Sequence, residues 1–331
     1  MRFRTDYHSS PDVKYPQLSP RRPVVLAGSC FADNMSARMR GALWDAANPL
    51  GTLFNPISII SALRLVLFSD TPEKDYERSL FEKDDEIRSW LFDSKLAASS
   101  REESIKEFMK RRALFLEKLH RGKTLIVTFG TSWCYSRHLG GEPVVGNCHK
   151  MPESLFFRWR LDVEDIVASW STILEKLEEK YPRVEIVFTV SPVRHLKDGF
   201  EGNARSKAIL LLSTEELCAR YSFCSYFPAY ELLNDDLRDY RFYASDLTHP
   251  SEEAIDYIWE KLCEICVDKE DKALIDEGEK IMAGLNHRPI SKSIGEGLSQ
   301  IEEKRLARLY ERIRLLKEKN PEMLMPDFVD F

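Results

Sequence analysis

The first clear change of pattern along the chain lies near residue 28. A short apolar run, Pro23–Ala27, stops at Gly28. Phe31–Leu43 then carries apolar side chains at Phe31, Met35, Met39, Ala42 and Leu43, close to the helical period. This predicts a buried strand, a tight turn and a helix. Thr124–Phe129 (TLIVTF) and Val184–Val190 (VEIVFTV) are apolar at successive positions, so a strand at either place must be covered on both faces. Charged stretches of helical spacing precede each of them. Helices are expected at Ile57–Phe68, Ser104–Leu119, Val163–Lys180 and Ala204–Tyr221, a fourth strand at Phe223–Phe227, and a helix at Ser251–Val267. Strands that alternate with helices of ten or more residues imply parallel pairing and right-handed crossovers. The expected fold class is therefore α/β, a three-layer (αβα) sandwich built on a parallel sheet.

This pattern divides the chain into three parts. Residues 1–22 are polar and interrupted by proline, which predicts an irregular lead-in. Residues 23–268 hold the strand–helix alternation. Residues 269–331 form a mainly helical C-terminal extension packed on the domain: Lys269–Glu303 is charged without an evident strand, and Ile301–Lys319 places Ile301, Leu306, Leu309, Ile313 and Leu316 at helical spacing.

Composition narrows the function classes. With 331 residues, 43% of them hydrophobic and 31% charged, the chain can bury one large core. A net charge of -6 with interspersed signs gives no electrostatic case for nucleic acid or a membrane surface. No window approaches the run of about 18 apolar residues that a spanning helix requires. Seven cysteines, an odd number scattered along the chain, do not resemble a disulfide framework. The expectation is a cytoplasmic protein with reduced thiols.

In parallel α/β sheets ligands bind beyond the carboxyl ends of the strands, so the residues that follow each strand are the candidates. These are Gly28-Ser29-Cys30, Gly130-Thr131-Ser132, Ser191-Pro192-Val193-Arg194, and the segment ASDLTHPS at 244–251. Within the last, Asp246-x-x-His249 can bring a carboxylate to the imidazole Nδ1–H and leave Nε2 as a base. An Asp before a helix is more often only a cap. His149 in GNCHK could contact substrate, and Arg194 could bind an anionic group or make a surface ion pair. Cys263-x-x-Cys266 lies in a helical pattern without a second pair. No metal site and no cofactor is expected.

LAGSCFA resembles the signature of the GSCFA family, a branch of the SGNH or GDSL hydrolase superfamily. NPLGTLFNPIS at 48–58, TLIVTFGTSW at 124–133, VVGNCHK at 144–150, TVSPVRH at 189–195, ASDLTHPS and NHRP at 286–289 are similar to that family in the same order. The resemblance implies a flavodoxin-like SGNH hydrolase fold, a nucleophile after the first strand, and an Asp-x-x-His pair near the end. It places Cys30 at the nucleophile, Ser29 where the superfamily has aspartate, Gly51 and Gly130 beside the oxyanion hole, and Asp246 with His249 as the rest of the triad. Ser132 falls on the oxyanion asparagine, a shorter donor, so Asn55 or Asn147 could have replaced it.

A thiol is partly ionised near neutral pH where a hydroxyl is inert. At a helix N-terminus and near His249 its pKa is expected to fall further. The expected function is an acyl hydrolase, esterase or acyltransferase acting through an acyl-enzyme on Cys30, with Ser29 as the alternative nucleophile. A small-molecule or carbohydrate ester, or a thioester, is the expected substrate. The alternative is a non-catalytic ligand-binding module that keeps the cleft.

Overall fold

The computed structural model describes residues 15–137, 144–287, 300–323 and 325–326. Residues 1–14 of the expected lead-in and positions 288–289 of the NHRP block lie outside them. The strands are β1 (Val24–Gly28), the two-residue β2 (Ala46–Ala47), β3 (Leu80–Lys83), β4 (Glu86–Ser89), β5 (Thr124–Phe129), β6 (Trp133–Arg137), β7 (Phe156–Arg160), β8 (Glu185–Val190) and β9 (Cys224–Tyr226). The helices up to the fourth central strand are α1 (Cys30–Gly41), α2 (Pro56–Phe68), α3 (Pro72–Glu77), α4 (Arg101–Gly122) and α5 (Val163–Lys180). They are followed by α6 (Gly199–Arg220), α7 (Ala229–Glu231), α8 (Glu252–Cys266), α9 (Lys269–Asn286) and α10 (Gln300–Lys319).

The central sheet has five strands in the order β2-β1-β5-β8-β9, all parallel. Its strands are apolar at successive positions because helices cover both faces. Val25, Ala27, Leu125, Val127, Ile186 and Phe188 share one cluster with α2, α4, α5 and α6. Val24, Leu26, Ile126 and Val187 share the opposite one with α1 and α8. The architecture is α/β and consistent with a three-layer sandwich.

Several elements were not legible in the hydrophobic pattern. β3 and β4 form a hairpin that turns through Asp84 and Asp85, both left-handed (φ 54° and 58°), as a two-residue loop requires. β6 and β7 form a second antiparallel ribbon. Their strands are short and half-exposed, so no buried alternation marks them. The charged segment after residue 268 forms α9, whose buried Ile275, Gly278, Ile281 and Met282 recur on one face. α10 packs on α9, and Leu43 joins Ile281, Ile313, Leu316 and Met323 in a third cluster. The end of the lead-in is held as well: the Leu18 N–H donates to the Cys266 carbonyl (2.7 Å), and Arg21 reaches Asp271 (2.8 Å) and Asn320 (2.7 Å). No helix among the described residues is long and apolar enough to cross a membrane.

β1 ends on Gly28, with φ 141°, and a Cβ there would stand 2.2 Å from the Thr128 carbonyl oxygen of β5. Only glycine tolerates both the angle and the approach. Gly28→Ala is expected to destabilise the fold by about 3 kcal/mol or more, read as a lower urea midpoint at unchanged slope. A midpoint equal to the parent's would show that the strand end can relax.

Candidate active site

Three turns, after β1, β5 and β8, share one rim of the sheet with the segment that precedes α8. At the first turn Ser29 leaves Gly28 with extended backbone and caps α1, its Oγ accepting from the Phe31 N–H (3.4 Å) while its own N–H donates to the Thr128 carbonyl (3.1 Å). Ser29 is 1% exposed, whereas Cys30, the first residue of the helix, is only partly covered. Of the two neighbours, Cys30 is therefore the less covered residue.

The electrostatics of Cys30 differ from expectation. Burial first, and then the Asp33 carboxylate one turn along α1, push the thiol above its ordinary value. The N–H groups of Cys30 and Phe31 and the Lys207 ammonium act the other way, but desolvation outweighs them. The acidic thiol expected from the helix terminus and His249 is not what the structure holds. Asp33 itself is fixed by Asn48 (2.9 Å) and Lys95 (2.6 Å).

Before α8, the Asp246 carboxylate closes its own turn. Oδ1 accepts from the backbone N–H groups of Thr248 and His249, both at 2.9 Å, and Oδ2 accepts from His249 Nδ1 at 2.6 Å. These bonds, the backbone ones foremost, hold the carboxyl well below the usual carboxylate range. Leu247 is left-handed (φ 55°), the Ala244 N–H donates to the His249 carbonyl (2.8 Å), and Ser251 caps α8. With Nδ1 engaged, Nε2 makes no hydrogen bond among the described residues. The turn is joined to the third strand end through the Arg194 N–H, which donates to the Thr248 carbonyl (3.0 Å). The Arg194 guanidinium lies 4.1 Å from the ring centre of Tyr243.

Two residues that the sequence reading passed over complete the rim. Lys207 of α6 is 1% exposed, and its Nζ donates to the carbonyls of Gly130 (2.7 Å) and Ser191 (2.6 Å), bridging the ends of β5 and β8. No carboxylate pairs with it among the described residues, and burial pushes its pKa down to about 7. His195 packs edge-on against Phe54 (5.9 Å), and its backbone N–H donates to Asn203 Oδ1 (2.9 Å). Burial, then Lys207 and His249, push the imidazole down to about 4, with Asp198 opposing. Lys207 had a readable signal: it stands with Leu210, Thr214 and Leu217 on the inward stripe of a predicted helix. His195 ends the TVSPVRH block directly after a strand.

The Cys30 thiol and the His249 imidazole share no hydrogen bond among the described residues. His195 lies within the electrostatic reach of both Lys207 and His249, and Lys207 within that of Cys30. Cys30, Lys207, His195 and His249 are therefore electrostatic neighbours in series and form no closed triad among the described residues. Among the described residues no group of three or more His, Cys, Asp or Glu side chains could hold a metal ion.

The remaining candidates are used elsewhere. Gly51 (φ 73°) lies against the Asp93 carboxylate, which also accepts from the Thr52 N–H (2.7 Å), so an oxyanion beside it would meet a negative charge. The Gly130 N–H donates to the Phe54 carbonyl (2.8 Å). Ser132 is fully buried, and both its N–H (2.8 Å) and its hydroxyl (3.1 Å) donate to Ser206 Oγ. Asn55 caps α2 by accepting from the Ser58 N–H (2.8 Å). Asn147 accepts from the His149 N–H (2.7 Å), and His149 is itself buried against Phe81 and Trp90 with Nε2 on the Ser89 carbonyl (2.8 Å). An open cleft of 650 Å³, lined by Trp133, Arg160, Asp198, Glu201, Gly202 and Arg205, lies on neighbouring elements.

The sequence model of the GSCFA family matches residues 23–262. No curated protein matches the chain. Among solved structures, a protein from Streptococcus pneumonia whose description refers to platelet activating factor is 12% identical, with 77% of this chain and 85% of that one covered and a TM-score of 0.37. That likeness is too remote to carry an argument.

Two expectations follow from the charges of the rim. The unfolded chain protonates His195 near the ordinary 6.5 and the folded protein only near 4, so its contribution to stability is present above about pH 6.5 and lost as the pH falls toward 4. His195→Gln should flatten the fall of the urea midpoint between pH 6.5 and 4; an equally steep fall in the variant would refute this. The rate of Cys30 alkylation by iodoacetamide should still be rising at pH 9, and a plateau below pH 7 would reveal an acidic thiol instead.

Proposed function

Because the chain belongs to the GSCFA family, we propose that it is an acyl hydrolase or acyltransferase of the SGNH type, working through a covalent acyl-enzyme on Cys30. The observation that carries this reading is the rim itself: a partly covered cysteine on the first turn of α1 and an imidazole oriented by Asp246 at the same end of a parallel sheet. Helices on both faces of that sheet, and a turn that leads from its first strand into a helix, support a flavodoxin-like SGNH fold. Ser29 is the weaker nucleophile because its hydroxyl caps the helix and is shielded from solvent.

With its pKa raised, the thiol rests protonated and needs a base. His249 Nε2 takes the thiol proton as sulfur bonds to the acyl carbon and the carbonyl electron pair moves to oxygen. Asp246 stabilises the imidazolium. The tetrahedral centre collapses, the leaving alcohol or thiol departs with the proton from His249, and an acyl-enzyme remains. Water or an acceptor hydroxyl, deprotonated by the same imidazole, then releases the acyl group and restores the thiol. A small or carbohydrate-type ester, or a thioester, suits this chemistry. All seven cysteines are free, in keeping with a reducing compartment such as the cytoplasm.

Intact mass spectrometry after incubation with short-chain p-nitrophenyl esters and acyl thioesters tests the reading. The parent and Ser29→Ala are expected to gain one acyl mass, and Cys30→Ala none. His249→Ala is expected to acylate about 100-fold more slowly or worse. An adduct that survives in Cys30→Ala and disappears in Ser29→Ala would move the nucleophile. No adduct with any donor would favour a binding module that keeps the cleft.

A further inference from the structure

The acyl-enzyme reading leaves one part open. An oxyanion that forms at this rim needs donors beyond the backbone N–H of Cys30, since the Phe31 N–H is given to Ser29 Oγ; of the side chains expected to supply one, Ser132 spends its hydroxyl hydrogen on Ser206, while Asn55 and Asn147 spend their side-chain oxygens on a helix cap and a turn. Against this stands an unspent group. His195 Nε2 is shielded from solvent and has no hydrogen-bond partner among the described residues. A buried polar atom left unpaired in this way is costly and calls for a reason.

Its position supplies one. A Cβ built on Gly130 would lie 3.5 Å from His195 Nε2 and 3.3 Å from the Ser29 Cβ, so the nitrogen faces the ground between the β5 turn and the nucleophile turn. Gly130 itself has no room for a side chain, because a Cβ would also stand 2.9 Å from the Phe54 carbonyl oxygen. The ring is held from several sides: Phe54 meets it edge-on, Asn203 fixes its backbone, and the loop behind it is tied to the Asp246–His249 turn through Arg194. Lys207, anchored on the Gly130 and Ser191 carbonyls, and the His249 ring both disfavour a second proton on it. Asp198, the carboxylate in electrostatic reach, is occupied by Arg158 (2.5 Å).

We infer that His195 is a catalytic residue of the acyl transfer, a neutral imidazole whose Nε2–H donates a hydrogen bond to the oxyanion that forms as the Cys30 sulfur adds to the acyl carbonyl. This rests on the acyl-enzyme reading and adds a side-chain donor to it. A neutral donor suits the task because it stabilises the oxyanion without surrendering its proton, which leaves proton transfer to His249. Its buried position keeps water from taking the hydrogen bond in advance.

The test compares the parent, His195→Phe and His195→Gln in two reactions of Cys30: acylation by a p-nitrophenyl ester and alkylation by iodoacetamide, which develops no oxyanion at the attacked carbon. His195→Phe keeps the ring without the N–H and is expected to acylate about 100- to 1,000-fold more slowly. His195→Gln restores a neutral donor and is expected to recover most of that loss with the parent's pH profile. Alkylation should be alike in all three, which also reports that the rim is intact. Acylation at the parent's rate in both variants would overturn the assignment. So would a His195→Gln variant as slow as His195→Phe that has lost the rise of rate with pH, because His195 would then be the base. A parent that alkylates but never acylates would remove the acyl-enzyme reading and this donor with it.

Discussion

Gly28 and the Thr128 carbonyl share a space too small for any side chain, and the site is built outward from that contact. Because β1 lies so close to β5 at its last residue, the Ser29 N–H can reach the Thr128 carbonyl and the chain can turn straight into α1. The helix then begins at the sheet edge. Its first residue, Cys30, is placed where the turns after β5 and β8 also end. A side chain at position 28 would push the strands apart at the point where sulfur, amides and neighbouring turns have to converge.

The rim is governed by desolvation more than by charge pairing. A thiol, a lysine and an imidazole are crowded into it, and burial is the first influence on each, pushing all three toward their uncharged forms. Lys207 bonds to two backbone carbonyls instead of a carboxylate, so it clamps two strand ends with little change in net charge. Among the described residues of the rim, the strongly stabilised charge is that of Asp246, which gathers two backbone N–H groups and the His249 ring.

The Asp246–His249 turn belongs to a separate part of the chain and is held by modest ties. Arg194 joins it to the loop after β8, and Arg38 of α1 pairs with Glu252 and Asp256 at the start of α8, both at 2.6 Å. Ion pairs this exposed contribute little to stability. Their service is geometric, since they set α8, and the turn before it, against the helix that carries Cys30. The apolar contact of α1 with α8 supplies the burial.

The sequence by itself determined the strands that are buried on both faces, the helices between them and the parallel α/β architecture, because a run such as TLIVTF is tolerable only between two layers of helix. It also determined the local pieces of the site: Cys30 on a first helical turn and an aspartate three residues before a histidine, both of which depend on neighbours within a few positions. The hairpins β3–β4 and β6–β7 were not legible, since their half-exposed strands carry no clear alternation, and the charged extension was legible as mainly helical but without the bounds of α9. Tertiary structure alone decided which candidates meet. Gly51 is turned against Asp93, Ser132 against Ser206 and His149 into an aromatic nest, whereas Lys207 and His195, ordinary in the sequence, arrive at the rim. The physical reason is that burial, which sets the charge state of each of these groups and even reverses the shift expected for Cys30, is a property of what the rest of the chain places around a residue.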